Sequence, residues 1–389
     1  MKGTIPCGRW AGIPIGVHWS AIVTVALITD VVALGVLPAL APGLAAAAYW
    51  AAGAAAALLL MMSLVVHELA HAATALRMRM RVRGMTLWLL GGQTELDGEA
   101  PDPRTELRIA IAGPLASAVV GGVFVGAAAL SGSAGWPAIV QACLAWLALV
   151  NLVLAAFNML PAAPMDGGRV LHALLWRSRG AARATGITAL VGRLIGSLLL
   201  GFGIVRMFGG DLGGGVWLGV IGWFLMSSAI GEEAAAVRRA QFATVAVRDV
   251  MAPADVTAPS WFTVGAFLDQ IAASAHRRVF PVVDFTGQPF GVLSLGMLTR
   301  QPAARLETAR VADVCQKLDD IVVTSPAGTL ADLLTARQRH RGAAPALVVD
   351  DGSLVGTVGD DDIARAIELL LLRRPAGDGT AAPSPSPIL

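Results

Sequence analysis

Charge is scarce in this chain. Only 14% of its 389 residues are Asp, Glu, Lys or Arg, against about 25% in ordinary soluble domains. Lysine is nearly absent, since 27 of the 29 basic residues are arginine. The formal net charge of +2 provides no global field to hold nucleic acid, and no nucleic-acid partner is expected. Cysteine is scarce too. Cys7, Cys143 and Cys315 are odd in number and far apart, which excludes a disulfide framework and a thiolate metal site. No Gly-x-Ser occurs anywhere, which weighs against serine-type proteolysis. No cleavable signal peptide is expected either. Residues 1–10 are a short polar start, and the first apolar run is too long for a signal core.

What is abundant is hydrophobicity: 56% of residues, with a mean hydropathy of +0.67. It is concentrated in the first 230 or so positions, and the rest reads as a soluble domain. Six membrane segments are expected, at about 17–37, 44–76, 107–130, 137–160, 187–207 and 214–230. Arg77, Arg79, Arg81 and Arg83 follow the second span, Arg169, Arg177, Arg179 and Arg183 the fourth, and Arg238 and Arg239 the sixth. The opposite loops carry no Lys or Arg apart from Arg206 near the end of the fifth span. The positive-inside rule then places both termini in the cytoplasm. The Arg-for-Lys bias and the plentiful Ala and Gly fit a GC-rich bacterial genome, hence a multi-pass protein of a bacterial inner membrane.

Late in the second span stands His67-Glu68-Leu69-Ala70-His71. Two histidines four apart share one helical face, where both can ligate one Zn²⁺ with the intervening Glu68 as base. His71 precedes Arg77 by six residues, roughly 9 Å along a helix, so the metal is expected about two turns beneath the cytoplasmic boundary. A catalytic zinc needs a third protein ligand and a fourth position open to water. The candidate is Asp166, in the stretch 158–169 whose prolines and glycines break the helix after span 4. Broken backbone at membrane depth is tolerated where it is buried in protein or lines a watery cavity. Asn158, in the same stretch, either satisfies backbone groups freed by Pro161 or serves as an oxyanion donor or substrate-orienting amide.

H-E-x-x-H late in span 2, followed by N-x-x-P-x-x-x-x-D-G-G after span 4, resembles the site-2 protease family of intramembrane zinc metalloproteases. The likeness covers about residues 10–230 and includes the segment 87–94 and Ala112-Gly113-Pro114. It implies His67, His71 and Asp166 as ligands of one Zn²⁺ per chain and Glu68 as catalytic base. It also implies that 87–94 forms membrane-inserted strands that help bind a transmembrane protein substrate. Bacterial relatives often act on membrane-bound regulators such as anti-sigma factors. Met165, where Leu is commoner in the family, is a mild departure. In the expected mechanism, zinc lowers the pKa of a bound water towards 7 and Glu68 passes a proton from it to the leaving amine. A substrate helix must first unwind, and a strand edge around 87–94 can receive it by β-addition.

Other positions draw plainer expectations. Gly113, Ala116 and Ser117 are small residues at helical spacing, read as packing without chemistry. Asp30, within or ending span 1, is read as marking its outer end rather than as an intramembrane functional carboxylate, His18 beside Trp19 as an interfacial anchor, and Asn151 as interhelical glue. No spacing supports His172 as a ligand.

Residues from about 245 to 370 repeat internally. Val247–Met251 aligns with Val311–Cys315, and Val282-Val283-Asp284 with Val348-Val349-Asp350. Each unit alternates strand-like and helix-like runs and looks like a tandem pair of CBS domains. In that family a Thr or Ser and an Asp after the last strand often bind adenosyl nucleotides. Here Ser294 is followed by Met297 at the Asp position, and Asp362 is preceded by Gly359 at the hydroxyl position. Neither repeat holds the full pair, which weighs against an adenosyl nucleotide and towards a homodimerisation or docking module. The expected organisation is a transmembrane zinc protease domain at 1–236, CBS repeats at 245–303 and 308–370, and a disordered tail at 373–389. The fold class is thus a polytopic α-helical membrane protein with a cytoplasmic α/β tandem CBS module. A rival of another class, a CBS-regulated metal-binding transporter or channel, would use the three ligands but not Glu68 as a base.

Overall fold

The computed structural model describes residues 4–88, 91–96, 98, 100–302, 306, 308–340 and 344–372. The tail expected at 373–389 and Leu89 and Leu90 of the 87–94 segment lie outside the described residues. The chain divides into two compact units, Met1–Val237 and Arg238–Leu389.

The first unit opens with a hairpin, β1 (Thr4–Trp10) and β2 (Ile13–His18). Its turn is Ala11-Gly12, with φ of +47° and +83°, the mirror-image turn that matches the twist of a two-residue hairpin. Next come α1 (Ser20–Val31), a π-helical turn at Val32–Val36 and α2 (Leu37–Leu40). Pro38 sits in the first turn of α2, where its missing N–H is harmless, so the helical path continues past it. The long helix α3 (Ala46–Arg77) follows, then β3 (Val82–Trp88), β4 (Gly91–Leu96), α4 (Pro103–Ser133) and α5 (Ala138–Asn158). Then come α6 (Asp166–Arg179), α7 (Ala181–Phe208) and α8 (Leu212–Ala243), whose last residues from Arg238 on are the start of the second unit.

Among the described residues, six helical segments are long and apolar enough to cross a membrane: Ser20–Leu40, Ala46–Arg77, Pro103–Ser133, Ala138–Asn158, Ala181–Phe208 and Leu212–Ala243. They match the six expected segments, extending several of them. Large apolar side chains such as Leu198, Val123 and Trp217 face outwards, as suits helices solvated by lipid rather than water. Asp30 is not at the end of its span. It falls ten residues short of Leu40 and is exposed, because the helix runs on through the π-turn and Pro38. Arg206, the exception to the expected charge asymmetry, pairs with Asp211, so its charge is matched.

α3 packs against α1, α4 and α5, and α4 packs against α6. Beside these helices lies a four-stranded sheet of order β1-β2-β3-β4. β2 and β3 are parallel, and β3 and β4 antiparallel with Met85 opposite Thr94 and Leu87 opposite Gly92. Met85 and Leu87 are buried, and Leu87 packs with Ala21 and Met61 on α1 and α3. Side chains alternate along a strand, so this register turns Gly92 and Thr94 to the same helix-facing side.

The second unit contains two sheets, β6-β7-β8-β9 and β10-β11-β12-β5. The first is formed by Ala258–Pro259, Val279–Val283, Pro289–Ser294 and Gln316–Lys317. The second is formed by Val323–Thr324, Ala346–Asp350, Ser353–Val358 and Ala252–Pro253. Each sheet has one parallel pair followed by two antiparallel pairs. Each also borrows its last strand from the segment that precedes the other sheet, so the repeat seen in the sequence is a structural one. One core gathers Phe267, Phe280, Val282 and Leu293, the other Leu330, Leu333, Val348 and Val358. The rings of Phe267 and Phe280 meet edge to face at 5.0 Å.

Candidate metal centre and active site

His67, Glu68 and His71 lie on one stretch of α3 and are all buried. The imidazole Nε2 atoms stand 3.2 Å apart. Asp166 Oδ2 lies 3.3 Å from His67 Nε2 and 3.2 Å from His71 Nε2. Asp166 is the first residue of α6, so its carboxylate sits at a helix end that favours negative charge. Gly167 explains why the helix can start there. A Cβ on it would lie 2.3 Å from the Met159 carbonyl carbon, so the turn that follows α5 closes only onto a glycine.

The other face of each ring is anchored by α4. His71 Nδ1 donates to the Ile109 carbonyl oxygen at 2.7 Å, and His67 Nδ1 is 2.9 Å from Ser117 Oγ. A carbonyl only accepts, so His71 carries a proton on Nδ1, and in the neutral ring this leaves the Nε2 lone pair for the centre. With Nδ1–H donating to Ser117, His67 does the same. Two imidazole lone pairs and a carboxylate oxygen then converge on one point. That is the donor set of an open, catalytic zinc site.

The spacing fits as well. Ligands about 2.05 Å from a tetrahedral zinc lie about 3.3 Å from one another, and the three distances here are 3.2, 3.2 and 3.3 Å. Space is kept for an ion by Gly113 of α4. A Cβ there would lie 2.2 Å from His71 Nε2 and 2.6 Å from His67 Nε2. Gly113 and Ser117 therefore belong to the site, which corrects the expectation of packing alone. Their helical spacing gives no sign of this, because it does not say which face of α4 meets α3.

Glu68 points at the sheet. Thr94 Oγ1 donates to Glu68 Oε2 at 2.7 Å, and a Cβ on Gly92 would lie 2.2 Å from Glu68 Cγ. Asn158 ends α5 and donates from Nδ2 to the Leu154 carbonyl at 3.0 Å, within its own helix. Asn151 is fully buried and likewise donates to its own helix, at Leu147, and among the described residues no interhelical bond from it is seen. His18 bonds Ser20 Oγ and lies against Trp19.

Sequence reading misses a second polar cluster. His172 Nδ1 is 2.8 Å from Glu106 Oε2 and its Nε2 is 3.2 Å from Thr185 Oγ1. These residues tie α6, which carries Asp166, to α4 and α7. The Glu106 hydrogen bond holds His172 above the usual histidine pKa, with burial opposing it.

A buried pair of imidazoles, a carboxylate and an adjacent glutamate, set among six membrane-length helices, define a membrane-embedded metallohydrolase. The comparisons with known proteins narrow that class. Residues 55–200 match the model of Peptidase family M50, and residues 311–369 match that of the CBS domain. The chain is 38% identical to Rip3 of Mycobacterium tuberculosis over 384 residues, 98% of each chain. It is 28% identical to the zinc metalloprotease MJ0392 of Methanocaldococcus jannaschii, over 81% of this chain and 86% of that one. A solved site-2 protease from the same archaeon aligns at 30% identity with a TM-score of 0.41, covering 59% of this chain and 95% of that chain. The chain belongs to peptidase family M50, the site-2 proteases, and is a multi-pass membrane metallo-endopeptidase with a C-terminal CBS domain.

Proposed function

We propose that His67, His71 and Asp166 hold one zinc ion and that Glu68 is the general base of peptide hydrolysis within transmembrane substrates, near the cytoplasmic face of a bacterial inner membrane. The observation that carries this reading is the convergence of two Nε2 atoms and Oδ2 within 3.3 Å of one another beside a buried glutamate. A zinc ion held by these three residues would supply Lewis-acid chemistry, acidifying a water and drawing charge from the scissile carbonyl. Glu68 would take a proton from the attacking water and return it to the departing amine. The Ile109 carbonyl fixes the tautomer and orientation of His71, and Ser117 holds the orientation of the His67 ring. Asn158 stands at the end of α5, where its amide can orient substrate or receive developing negative charge.

The substrate in this reading is a transmembrane helix of a membrane-bound regulator, such as an anti-sigma factor. It unwinds locally and pairs with the outer edge of β4, which satisfies its freed backbone groups in lipid. The CBS module modulates the protease and supports homodimerisation. Asp362 Oδ2 already accepts the Gly359 N–H at 2.8 Å as a helix cap, which favours docking over adenosyl nucleotide binding.

The test is a comparison of membrane proteomes from cells carrying the wild type and Glu68→Gln. A membrane protein should accumulate intact only in the variant, with zinc content unchanged. No accumulating protein, together with a wild type that cleaves no transmembrane peptide, would overturn the proposal.

A further inference from the structure

A carboxylate that shuttles a proton must be held in one orientation, and the helix that carries Glu68 does not do this alone. Its side chain leaves α3 and meets β4. Thr94 Oγ1 lies 2.7 Å from Oε2 and 3.4 Å from the Glu68 carbonyl oxygen. The shorter contact is a hydrogen bond from the hydroxyl to a carboxylate oxygen, with a length typical of O–H···O bonds. Gly92, two residues back and so on the same face of the strand, leaves room for the carboxylate. A Cβ there would lie 2.2 Å from Glu68 Cγ, 2.7 Å from Cδ and 2.8 Å from Oε1. One strand therefore both shapes the pocket of the base and ties one of its two oxygens, leaving Oε1 to handle protons. β4 is also the last strand of its sheet, with β3 on one side and no described strand on the other.

We infer that Thr94 is a positioning residue for the base, and that Gly92 and Thr94 together make β4 the element that sets the aim of Glu68. This rests on Glu68 being the base. It adds that a segment pairing with the free edge of β4 sits against the strand that orients the carboxylate, so docking and catalysis share one element. Thr94 touches neither substrate nor metal in this role and acts only through Glu68.

The experiment uses purified full-length protein in detergent, with a dye-quenched unfolded casein and a dye-quenched synthetic transmembrane peptide as probes. Thr94→Val keeps the shape of the side chain and removes the hydroxyl. It should lower kcat about 10- to 100-fold, less than the roughly 10²–10⁴-fold that a general base contributes, with KM within about twofold. Zinc content and melting temperature should match the wild type. Thr94→Ser should restore most of the rate, and Gly92→Ala, which displaces the glutamate, should lower kcat as well. Placed on Glu68→Gln, Thr94→Val should have no further effect on residual rate, since residues that act as a unit are not additive. A readout independent of turnover is the carboxylate stretch of Glu68, assigned in the infrared by difference against Glu68→Gln. That band should shift in Thr94→Val and return in Thr94→Ser. An unmoved band, an unchanged kcat, a loss that falls on KM or zinc content, or full additivity with Glu68→Gln would each overturn the inference. If the wild type cleaves neither probe yet the band shifts, the positioning contact stands and the hydrolytic role of Glu68 is what fails.

Discussion

Gly113→Ala is the substitution that probes the metal centre most sharply, because it adds a single methyl group. The new Cβ would lie 2.2 Å from His71 Nε2 and 2.6 Å from His67 Nε2, where unforced contacts begin at 3.4 Å. The nearer ring has to retreat by about 1 Å, and its Nδ1 bond to Ile109, now 2.7 Å, stretches or breaks. The Ser117 bond to His67, at 2.9 Å, is strained in the same way. Each hydrogen bond contributes roughly 0.5–1.5 kcal/mol, so disturbing both costs about 1–3 kcal/mol. That alone weakens metal binding about 5- to 150-fold. The methyl also fills the space between the donors, so a loss of at least about 100-fold is expected. The helix itself should tolerate alanine, which is about 1 kcal/mol better than glycine in a helix interior. Competition with a chromogenic zinc chelator, with melting temperature as a control, measures the effect. A folded Gly113→Ala protein that binds zinc as tightly as the wild type would show that the centre does not lie between these atoms.

Two further outcomes follow from the neighbours of the centre. Ser117→Ala frees His67 to turn, and zinc affinity should fall about 10- to 100-fold by the same chelator assay, with the helical content unchanged in circular dichroism. The His172–Glu106 pair makes stability depend on pH. A histidine whose folded pKa is raised contributes in full below its unfolded pKa of about 6.5 and loses that contribution as pH rises through the raised value. The groups that set it are Glu106 first, with burial opposing, then the Ala181 carbonyl and the charge of Glu232. Thermal unfolding should therefore show stability declining across that window in the wild type, with a flatter profile in Glu106→Gln. Identical profiles would remove the pair as a clamp between α4 and α6.

What the sequence discloses and what it hides divide along physical lines. The spans are legible because lipid demands about twenty consecutive apolar residues, a local pattern that needs no partner. His67, Glu68 and His71 are legible because helical periodicity fixes their common face, and Asp166 because glycines and prolines mark the broken segment. The N-terminal hairpin is hidden because Thr4–Trp10 has no apolar alternation and is mostly exposed. Its signal is the Ala11-Gly12 turn, which only a structure distinguishes from a loop. Gly113 and Ser117 are visible as small residues, but their task depends on the register in which α4 crosses α3. The same holds for Thr94, whose contact with Glu68 is set by the pairing of β3 with β4 rather than by any spacing along the chain. Glu106 and His172 are 66 residues apart, and no local rule joins them.

Peptide hydrolysis here depends on a buried glutamate beside a two-histidine, one-carboxylate zinc site. Cleavage of a dye-quenched transmembrane peptide by zinc-loaded wild type and Glu68→Gln, with zinc measured on the same samples, tests it most directly. Equal zinc in both and a rate at least about 100-fold lower in the variant are expected. Equal cleavage by both proteins, or a wild type that retains no zinc and still cleaves, would contradict it.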